Sequence, residues 1–361
     1  MTNYYFIVGE ASGDLHASNL IKEISKLDEN ASFKGFGGER MQKQGLELTL
    51  HYSSMAFMGF WEVIKNVSAI SRNFKQAKKE LLEFNTDVLV LVDYPGFNMR
   101  MASFAKRHGI KVVYYITPQV WAWKESRVKK LKRDVDLLLP ILPFEQDFFA
   151  KHQIESTFLG HPLLDAFKDI DSRSVESDKP IIALLPGSRK QEISTSLPIM
   201  MKLVESFENY QFIIAGAPSI SAAFYRNITG ESYIPILSNQ THALLKESKA
   251  AIVTSGTATL EAAILKVPQV VCYKTSAFSY FFGKLLVKVK FISLVNLIAN
   301  KEVVKELIQN DFNGERLVKE LHYLLDKKNK TKIIGEYNKI IDVLGREGAS
   351  LRAAKEIVSL S

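Results

Sequence analysis

Short, uninterrupted apolar runs, each ending in a polar or glycine-containing turn, constrain the fold of this chain more than any other feature. The run Val88–Val92 contains only Val and Leu, and Asp93 ends it shortly before Pro95 and Gly96. Continuous runs of this kind are typical of parallel strands that are covered on both faces. Similar runs at residues 181–185 and 250–253 lead into stretches with helical spacing. The alternation of buried strands and helices predicts an α/β fold.

The strand–helix alternation is interrupted once, by the polar and charged residues 165–179. A polar stretch of this kind is the best candidate for a domain boundary, and 361 residues are long for a single core. We therefore expect two Rossmann-like βα domains, 1–165 and 166–340, that face each other across a cleft. We expect the helices of residues 341–361 to return to the first domain or to pack on a partner chain.

Polar residues crowd the end of the first predicted strand, residues 4–8. Glu10, Ser12 and Asp14 follow it and form a candidate site. Gly9 and Gly13 lack the G-x-G-x-x-G spacing of dinucleotide-binding folds, which disfavours a nicotinamide dehydrogenase. The two glycines alone would also be accounted for by a tight turn.

Asp93 is the candidate general base. It emerges at the carboxyl edge of the sheet in a partly shielded position, where its pKa is expected to rise enough for proton abstraction. An aspartate before Pro95 and Gly96 is equally well placed to act only as a turn former. Asn98 is predicted to cap the helix that follows.

Two loops of the second domain are predicted to bind a phosphate. Ser255, Gly256 and Thr257 form a small-residue turn between a strand and a helix, and Glu261 lies one turn further along, where it could accept both hydroxyls of a ribose. The second loop contains four candidate substrate-binding residues, of which the arginine offers a fixed fork of donors to a phosphate. These residues are Gly187, Ser188, Arg189 and Glu192.

Composition narrows the class of protein. The net charge of +8 indicates an acidic partner without identifying it, and the single cysteine, Cys272, favours a reducing compartment. We expect no signal peptide, no membrane span and no metal site, because the Asp-x-Asp pairs at 134–136 and 169–171 do not close a strand. Three stretches could contact a bilayer, or could simply belong to the core or the solvated surface of their domain. They are the aromatic stretch 55–61, the basic run 124–133 and the apolar stretch 278–289.

Eight sequence blocks, spread over nearly the whole chain, resemble those of the lipid-A-disaccharide synthases, glycosyltransferases of the two-Rossmann-domain B architecture. The blocks are GEASGD at 9–14, VDYPGFN at 92–98, PQVWAW at 118–123, LPFE at 142–145, LGHP at 159–162, LLPGSR at 184–189, SGTATLE at 255–261 and SLVNL at 293–297.

The resemblance implies condensation of UDP-2,3-diacylglucosamine with 2,3-diacylglucosamine 1-phosphate to a β-1,6-linked disaccharide and UDP, a step in lipid A biosynthesis for lipopolysaccharide. It implies that Asp93 is the base that acts on the acceptor 6-hydroxyl. Glu10 is the second candidate catalytic residue. Ser12, Gly13 and Asp14 are expected to bind substrate. Arg189, the turn at 255–257, Glu261 and Asn296 are expected to hold UDP.

The resemblance also implies an anionic membrane surface as a partner, on the cytoplasmic face of the inner membrane, with no nucleic acid and no metal cofactor. A homodimer is compatible with it. The chain departs from the family pattern at Val295, where a proline is common, and at Gly96, where a second acid is frequent, so Asp93 is expected to act alone. A nucleotide-sugar epimerase of the same architecture and a non-catalytic anionic-lipid-binding protein are the alternatives.

Overall fold

The computed structural model describes residues 2–55, 66–123, 125–167, 175–230, 234–276, 280 and 289–360. The chain divides into two compact units. The first consists of Met1–Lys168 together with Leu344–Ser361, and the second of Asp169–Val343. Most of the aromatic stretch 55–61 and of the apolar stretch 278–289, as well as Lys124 and the Asp-x-Asp pair at 169–171, lie outside the described residues.

The first unit is built on a six-stranded sheet in which every pair of neighbouring strands is parallel, in the order β3-β2-β1-β4-β5-β6. The strands are β1 (Asn3–Val8), β2 (Ser32–Gly37), β3 (Glu47–His51), β4 (Val88–Val92), β5 (Lys111–Tyr115) and β6 (Leu137–Leu139). The helices are α1 (Ala11–Leu27), α2 (Glu39–Lys43), α3 (Val67–Glu83), α4 (Pro95–Arg107), α5 (Val120–Trp123), α6 (Val128–Asp134), α7 (Pro143–Lys151) and α8 (Leu163–Ala166). Short 3-10 turns occupy Tyr52–Ser54 and Glu125–Arg127.

The second unit repeats this arrangement with a parallel sheet in the order β12-β11-β10-β7-β8-β9. Its strands are β7 (Ile181–Leu185), β8 (Gln211–Gly216), β9 (Ile236–Ser238), β10 (Ser248–Thr254), β11 (Gln269–Tyr273) and β12 (Glu306–Ile308). Its helices are α9 (Lys190–Met200), α10 (Ala222–Thr229), α11 (Thr241–Glu247), α12 (Ala258–Ile264), α13 (Leu294–Ala299), α14 (Gly314–Leu325) and α15 (Lys327–Leu344), with 3-10 turns at Met201–Ser206 and Gln309–Asp311.

The apolar runs become the central strands of both sheets. Every residue of β4 and of β7 is buried, because helices cover both faces of each sheet. In the first unit one core cluster includes Leu89 and Leu91, and another includes Val88, Val90 and Val92. The parallel α/β fold predicted from the sequence is confirmed.

The last helix, α16 (Ala349–Leu360), packs against α1 and completes the core of the first unit with Ala353, Ala354 and Ile357. The Asp165 carboxylate fixes its start by accepting hydrogen bonds from the N–H groups of Gly348 and Ser350, at 2.5 and 2.7 Å. The end of the chain is therefore part of the same compact unit as its beginning.

Helix α4 begins earlier than the sequence pattern indicates. Its first residue is Pro95. Proline suits the first helical position because its ring fixes φ, and because an N–H group at this position would have no hydrogen-bond partner within the helix. The prediction that Asn98 caps this helix is wrong, since Asn98 lies within the first turn and is fully buried. Its side chain instead supports the neighbouring strand ends.

Candidate functional site

Both sheets place the predicted site residues, Asn296 excepted, after the strands at which the strand order reverses. In the first unit the reversal lies between β1 and β4, which pair in register from Tyr4 with Val88 to Val8 with Val92. In the second it lies between β7 and β10. Open parallel sheets bind ligands in the crevice outside the carboxyl ends of such strands. The loops after these four strands contain Glu10, Asp93, Arg189 and Ser255.

Asp93 occupies a strained turn. Asp93 and Tyr94 have φ values of 44° and 45°, a left-handed conformation that costs free energy in residues other than glycine. The Asp93 carbonyl accepts hydrogen bonds from Asn98 Nδ2 at 2.9 Å and from the Tyr114 hydroxyl at 2.7 Å. Asn98 Nδ2 also lies 3.2 Å from the Val92 carbonyl and 3.3 Å from that of Ile7. These contacts hold the turn in its strained conformation.

The surroundings of Asp93 raise its pKa to about 7. Burial of the carboxyl group is the largest cause, and the charge of Glu10 on the neighbouring loop is the second. The N–H of Tyr94 acts in the opposite direction, and the charge of Glu145 adds to the rise. A carboxyl group with a pKa near neutrality is suited to general base catalysis, as expected from its position at the strand end.

Glu145 is a buried carboxylate that the sequence patterns did not single out as a site residue. Its Oε1 accepts from the Thr117 hydroxyl and Trp121 Nε1, both at 3.0 Å, and its Oε2 from the N–H of Ile141 at 3.1 Å and of Leu142 at 2.9 Å. Burial raises its pKa to about 7 despite these donors. The available signal was the LPFE block, in which the glutamate three residues after Leu142 accepts from the Leu142 N–H at the start of α7.

The loop after β1 brings Glu10 and Ser12 together, because the Ser12 hydroxyl donates to Glu10 Oε1 at 2.6 Å. Gly9 allows the ring of Tyr94 to approach, since a Cβ atom there would lie 2.4 Å from Tyr94 Cγ. Gly13 lets α1 pack on β1, where a Cβ atom would lie 2.7 Å from Val8 Cγ1.

The Asp14 side chain turns away from the loop that the sequence predicts as the site. Its carboxylate is buried and accepts from the N–H groups of Arg40 and Met41, both at 3.2 Å, at the start of α2. Burial raises the pKa of Asp14. The role that the structure gives Asp14 is to cap α2.

In the second unit, Glu192 organises the loop after β7. Its Oε1 lies 2.8 Å from Arg189 Nη1, and its Oε2 accepts from the N–H of Ser188 at 3.0 Å. Gly187 has a φ of +120°, and a Cβ atom there would lie 2.7 Å from the Glu192 side chain. One of the backbone donors predicted for a phosphate, that of Ser188, is therefore bound to a carboxylate in this structure.

The turn after β10 is connected to two other segments of the unit. The Ser255 hydroxyl donates to the Ile292 carbonyl at 3.0 Å, while Gly256 and Thr257 are exposed. Glu261, in α12, lies 3.1 Å from His242 Nε2, a contact that the sequence did not indicate. His242 lies in α11, so the fold joins two helices at this carboxylate.

Asn296 is buried with both ends of its amide bonded. Its Nδ2 donates to the Val304 carbonyl and to Glu306 Oε1, both at 2.9 Å, and its Oδ1 accepts from the N–H groups of Val303 at 2.7 Å and Val304 at 3.0 Å. An amide side chain with two donors and two acceptor positions has no further capacity. In this structure the Asn296 side chain holds its loop together and is not exposed to a ligand.

Within the parts of the chain that the structure describes, no three or more His, Cys, Asp or Glu side chains are grouped so that they could hold a metal ion. In the same parts, no helix combines the length and apolar character required to cross a membrane.

Two parallel six-stranded sheets with flanking helices, each with polar loops at the switch point, define a protein of the glycosyltransferase B fold. Solved structures share it: a putative UDP-N-acetylglucosamine 2-epimerase from Listeria monocytogenes has a TM-score of 0.71 at 14% identity, covering 99% of this chain and 96% of that one. A glycotransferase of kitacinnamycin has a TM-score of 0.68 at 13% identity over 99% of both chains. At these identities the likeness shows the fold alone.

Sequence comparison identifies the family. The family model described as lipid-A-disaccharide synthetase matches residues 4–358. The lipid-A-disaccharide synthases of Geobacter sulfurreducens and Syntrophus aciditrophicus are 36% and 37% identical, each covering 98% of this chain and 96% of the relative. That of Coxiella burnetii is 35% identical over 98% of this chain and 97% of the relative. The chain belongs to the lipid-A-disaccharide synthase family and is a glycosyltransferase of lipid A biosynthesis, so the resemblance seen in the sequence blocks is confirmed.

Proposed function

We propose that this enzyme transfers the diacylglucosamine group of UDP-2,3-diacylglucosamine to the 6-hydroxyl of 2,3-diacylglucosamine 1-phosphate, with inversion at the anomeric carbon. The observation that carries the proposal is Asp93, a carboxyl group with a pKa raised to about 7 at the switch point of a family member. At neutral pH about half of such groups are ionised and able to accept a proton. Membership of the family supports a UDP-sugar donor and a sugar-phosphate acceptor.

In the proposed reaction, Asp93 accepts the proton of the acceptor 6-hydroxyl while that oxygen attacks the anomeric carbon of the donor. The bond from the anomeric carbon to the UDP oxygen breaks, and the electron pair leaves with UDP. Attack from the face opposite to the leaving group inverts the configuration and gives the β-1,6 linkage. Glu10 acts by keeping the pKa of Asp93 high.

The departing diphosphate gains negative charge, which fixed donors stabilise most effectively. Arg189 is the proposed donor because Glu192 holds its guanidinium at the loop after β7, and the planar fork of an arginine matches the geometry of a phosphate. The exposed Gly256 and Thr257 extend the same surface, and Glu261 is proposed to accept the ribose hydroxyls. We propose that the reaction needs no metal cofactor.

Mass spectrometry of the products formed from both acylated sugars tests this proposal. The expected products are the disaccharide 1-phosphate and UDP, and nuclear magnetic resonance of the new anomeric proton should report the β configuration. A protein that converted the UDP-sugar without an acceptor would instead be an epimerase. One that bound acylated phosphates without releasing UDP would be a lipid-binding protein.

We propose that the enzyme works as a peripheral protein on the cytoplasmic face of the inner membrane. Helix α6 supports this, because Lys129, Lys130, Lys132 and Arg133 are all exposed on it. Sedimentation with vesicles of phosphatidylcholine and phosphatidylglycerol at low salt, followed by release in high salt, is the expected behaviour. Equal sedimentation with and without the anionic lipid would count against an electrostatic contact.

A further inference from the structure

The first unit contains a cavity of about 470 Å³ beside the strained turn of Asp93. Its volume is in the range of small-molecule sites. It lies between α3, α4, the 3-10 turn Glu125–Arg127 and α6, and five cationic side chains line it: Lys78, Arg100, Arg107, Arg127 and Lys130. Phe74 and Met99 give it an apolar part.

Among the described residues of the elements that form the cavity, most carboxylates pair with groups outside it. Helix α4 contains no acidic residue. Glu80 accepts hydrogen bonds from the hydroxyls of Tyr5 and Thr49, and Glu83 pairs with Lys79. Glu125 lies 3.2 Å from His152 Nε2. Asp134 pairs with Arg133 and also accepts from the hydroxyl of Ser103, which lines the cavity, so it offsets part of the positive charge of Lys130.

Two of the five cations are held in place. Lys78 Nζ lies 4.5 Å from the ring centroid of Phe74 and 4.8 Å from that of Phe104, which fixes the ammonium group over two aromatic faces. Arg107 Nε donates to the Ser103 carbonyl at 3.0 Å, which anchors this guanidinium group at the cavity wall. Preorganised cations above an apolar floor suit a ligand that combines a phosphate with an acyl chain.

The cavity adjoins the proposed base from two directions. Pro95 lines it, and its Cα atom can lie at most about 7 Å from that of Asp93, because only one residue separates them. Arg127 also lines it and is close enough to the Tyr114 phenol to oppose the burial that raises the pKa of that group. The Tyr114 hydroxyl donates to the Asp93 carbonyl at 2.7 Å.

We propose that this basic cavity binds the phosphate monoester of the acylated sugar acceptor and thereby positions its 6-hydroxyl at Asp93. This inference rests on the proposed function, since it assigns the acceptor's phosphate to a place in the first unit. The 1-phosphate and the 6-hydroxyl belong to one sugar ring, so a phosphate site for this acceptor must lie within about one sugar ring of the base. A bilayer phospholipid offers a related phosphate with acyl chains, and the experiment separates the two.

Arg100 allows one positive charge of the cavity to be removed without disturbing the core. It lies on α4, lines the cavity and is exposed. Arg100→Gln therefore removes one cation from the cavity, and Arg100→Lys is its control because it keeps the positive charge.

Calorimetry of the full chain with diacylglucosamine 1-phosphate and with its dephosphorylated counterpart, both in detergent micelles, provides the test. The natural chain should bind the phosphorylated sugar roughly tenfold or more tightly, as charge-assisted hydrogen bonds imply. Arg100→Gln should reduce this difference, and Arg100→Lys should keep most of it. Lys130→Gln should weaken binding of the phosphorylated sugar, whereas Lys129→Gln, on the same helix but outside the cavity, should not.

Equal affinity of the natural chain for the two sugars would overturn the proposal, and so would identical behaviour of Arg100→Gln and Arg100→Lys. If Arg100→Gln weakened sedimentation with phosphatidylglycerol vesicles but left binding of the acceptor unchanged, the cavity would serve bilayer phosphate and the assignment would be wrong. Phosphate-dependent binding without any UDP release would uphold the cavity assignment and refute the proposed transferase reaction instead.

Discussion

Replacing Glu10 by Gln tests the electrostatic argument for Asp93 without touching Asp93 itself. The substitution removes a negative charge and keeps an oxygen that can accept the Ser12 hydroxyl, which lies 2.6 Å from Glu10 Oε1. Asp93 has a pKa of about 7 against an ordinary value of 3.8, a difference of roughly 4 kcal/mol between its two protonation states. Burial is the largest cause and the charge of Glu10 the second.

The rate should follow the ionisation of Asp93, because a general base must be deprotonated to accept a proton. For the natural chain, kcat/KM should rise with pH and reach half its plateau near pH 7. In Glu10→Gln the loss of like-charge repulsion should move this midpoint down by about one pH unit, while burial keeps it above 4. Glu29→Gln is the control, because it removes an exposed negative charge in the loop after α1. It should leave the midpoint pH unchanged.

The assay is UDP release at subsaturating substrate between pH 5 and pH 9. An unchanged midpoint in Glu10→Gln, with full activity at high pH, would refute the account of the Asp93 pKa. A plateau lowered at every pH with the midpoint unchanged would mean that Glu10 contacts the reacting groups directly. The direction and the size of the change in the midpoint pH therefore both test the account of the Asp93 pKa.

Four further predictions follow from the same contacts. Asp93→Asn should lower kcat by about 10²–10⁴-fold with UDP affinity unchanged; it should also raise the melting temperature above pH 7, because Asp93, with a folded-state pKa above its unfolded value, destabilises the fold once it ionises. Arg189→Ala should weaken UDP binding roughly tenfold by calorimetry, and unchanged affinity would remove it from the donor site. A chelator such as EDTA should leave the rate unaltered, and a loss that Mg²⁺ restores would contradict the metal-independent proposal. Burial lowers the pKa of His161 to about 3, so on acidification the unfolded chain takes up a proton at this residue before the folded chain does. The free energy of unfolding should therefore fall by about 2 kcal/mol between pH 7 and pH 5. In His161→Gln, urea denaturation should show a weaker dependence of this free energy on pH.

The parallel sheets were predictable because their signal is local. Five consecutive apolar residues, as in Val88–Val92, favour a strand covered on both faces regardless of what lies elsewhere in the chain. The ends of these runs then located the loops that contain Asp93 and Arg189. The strand order of each sheet was not part of the prediction, since pairing depends on contacts between distant segments.

The partners of the site carboxylates could not be read from local patterns for the same reason. Glu145 is bonded to Thr117 and Trp121, and Glu261 lies beside His242, each pair brought together only by the folded helices and strands. Asn296 shows a different limit of what the sequence predicts. Its isolation among apolar residues indicated that its amide has partners, but not that these partners would use its whole bonding capacity.

The strain and the raised pKa at Asp93 have a common structural origin. A left-handed turn directly after β4 keeps the carboxyl group close to the sheet edge, where burial and the neighbouring loop of Glu10 disfavour its ionised form. Each residue held in a left-handed conformation lowers the stability of the fold by about 1–3 kcal/mol. The hydrogen bonds of Asn98 and Tyr114 to the Asp93 carbonyl offset part of that cost. Replacing Tyr114 by Phe should therefore relax the turn, lower the pKa of Asp93 and reduce kcat together. A Tyr114→Phe chain that lost stability but kept both the midpoint and the plateau of its pH profile would show that the strain has no part in catalysis.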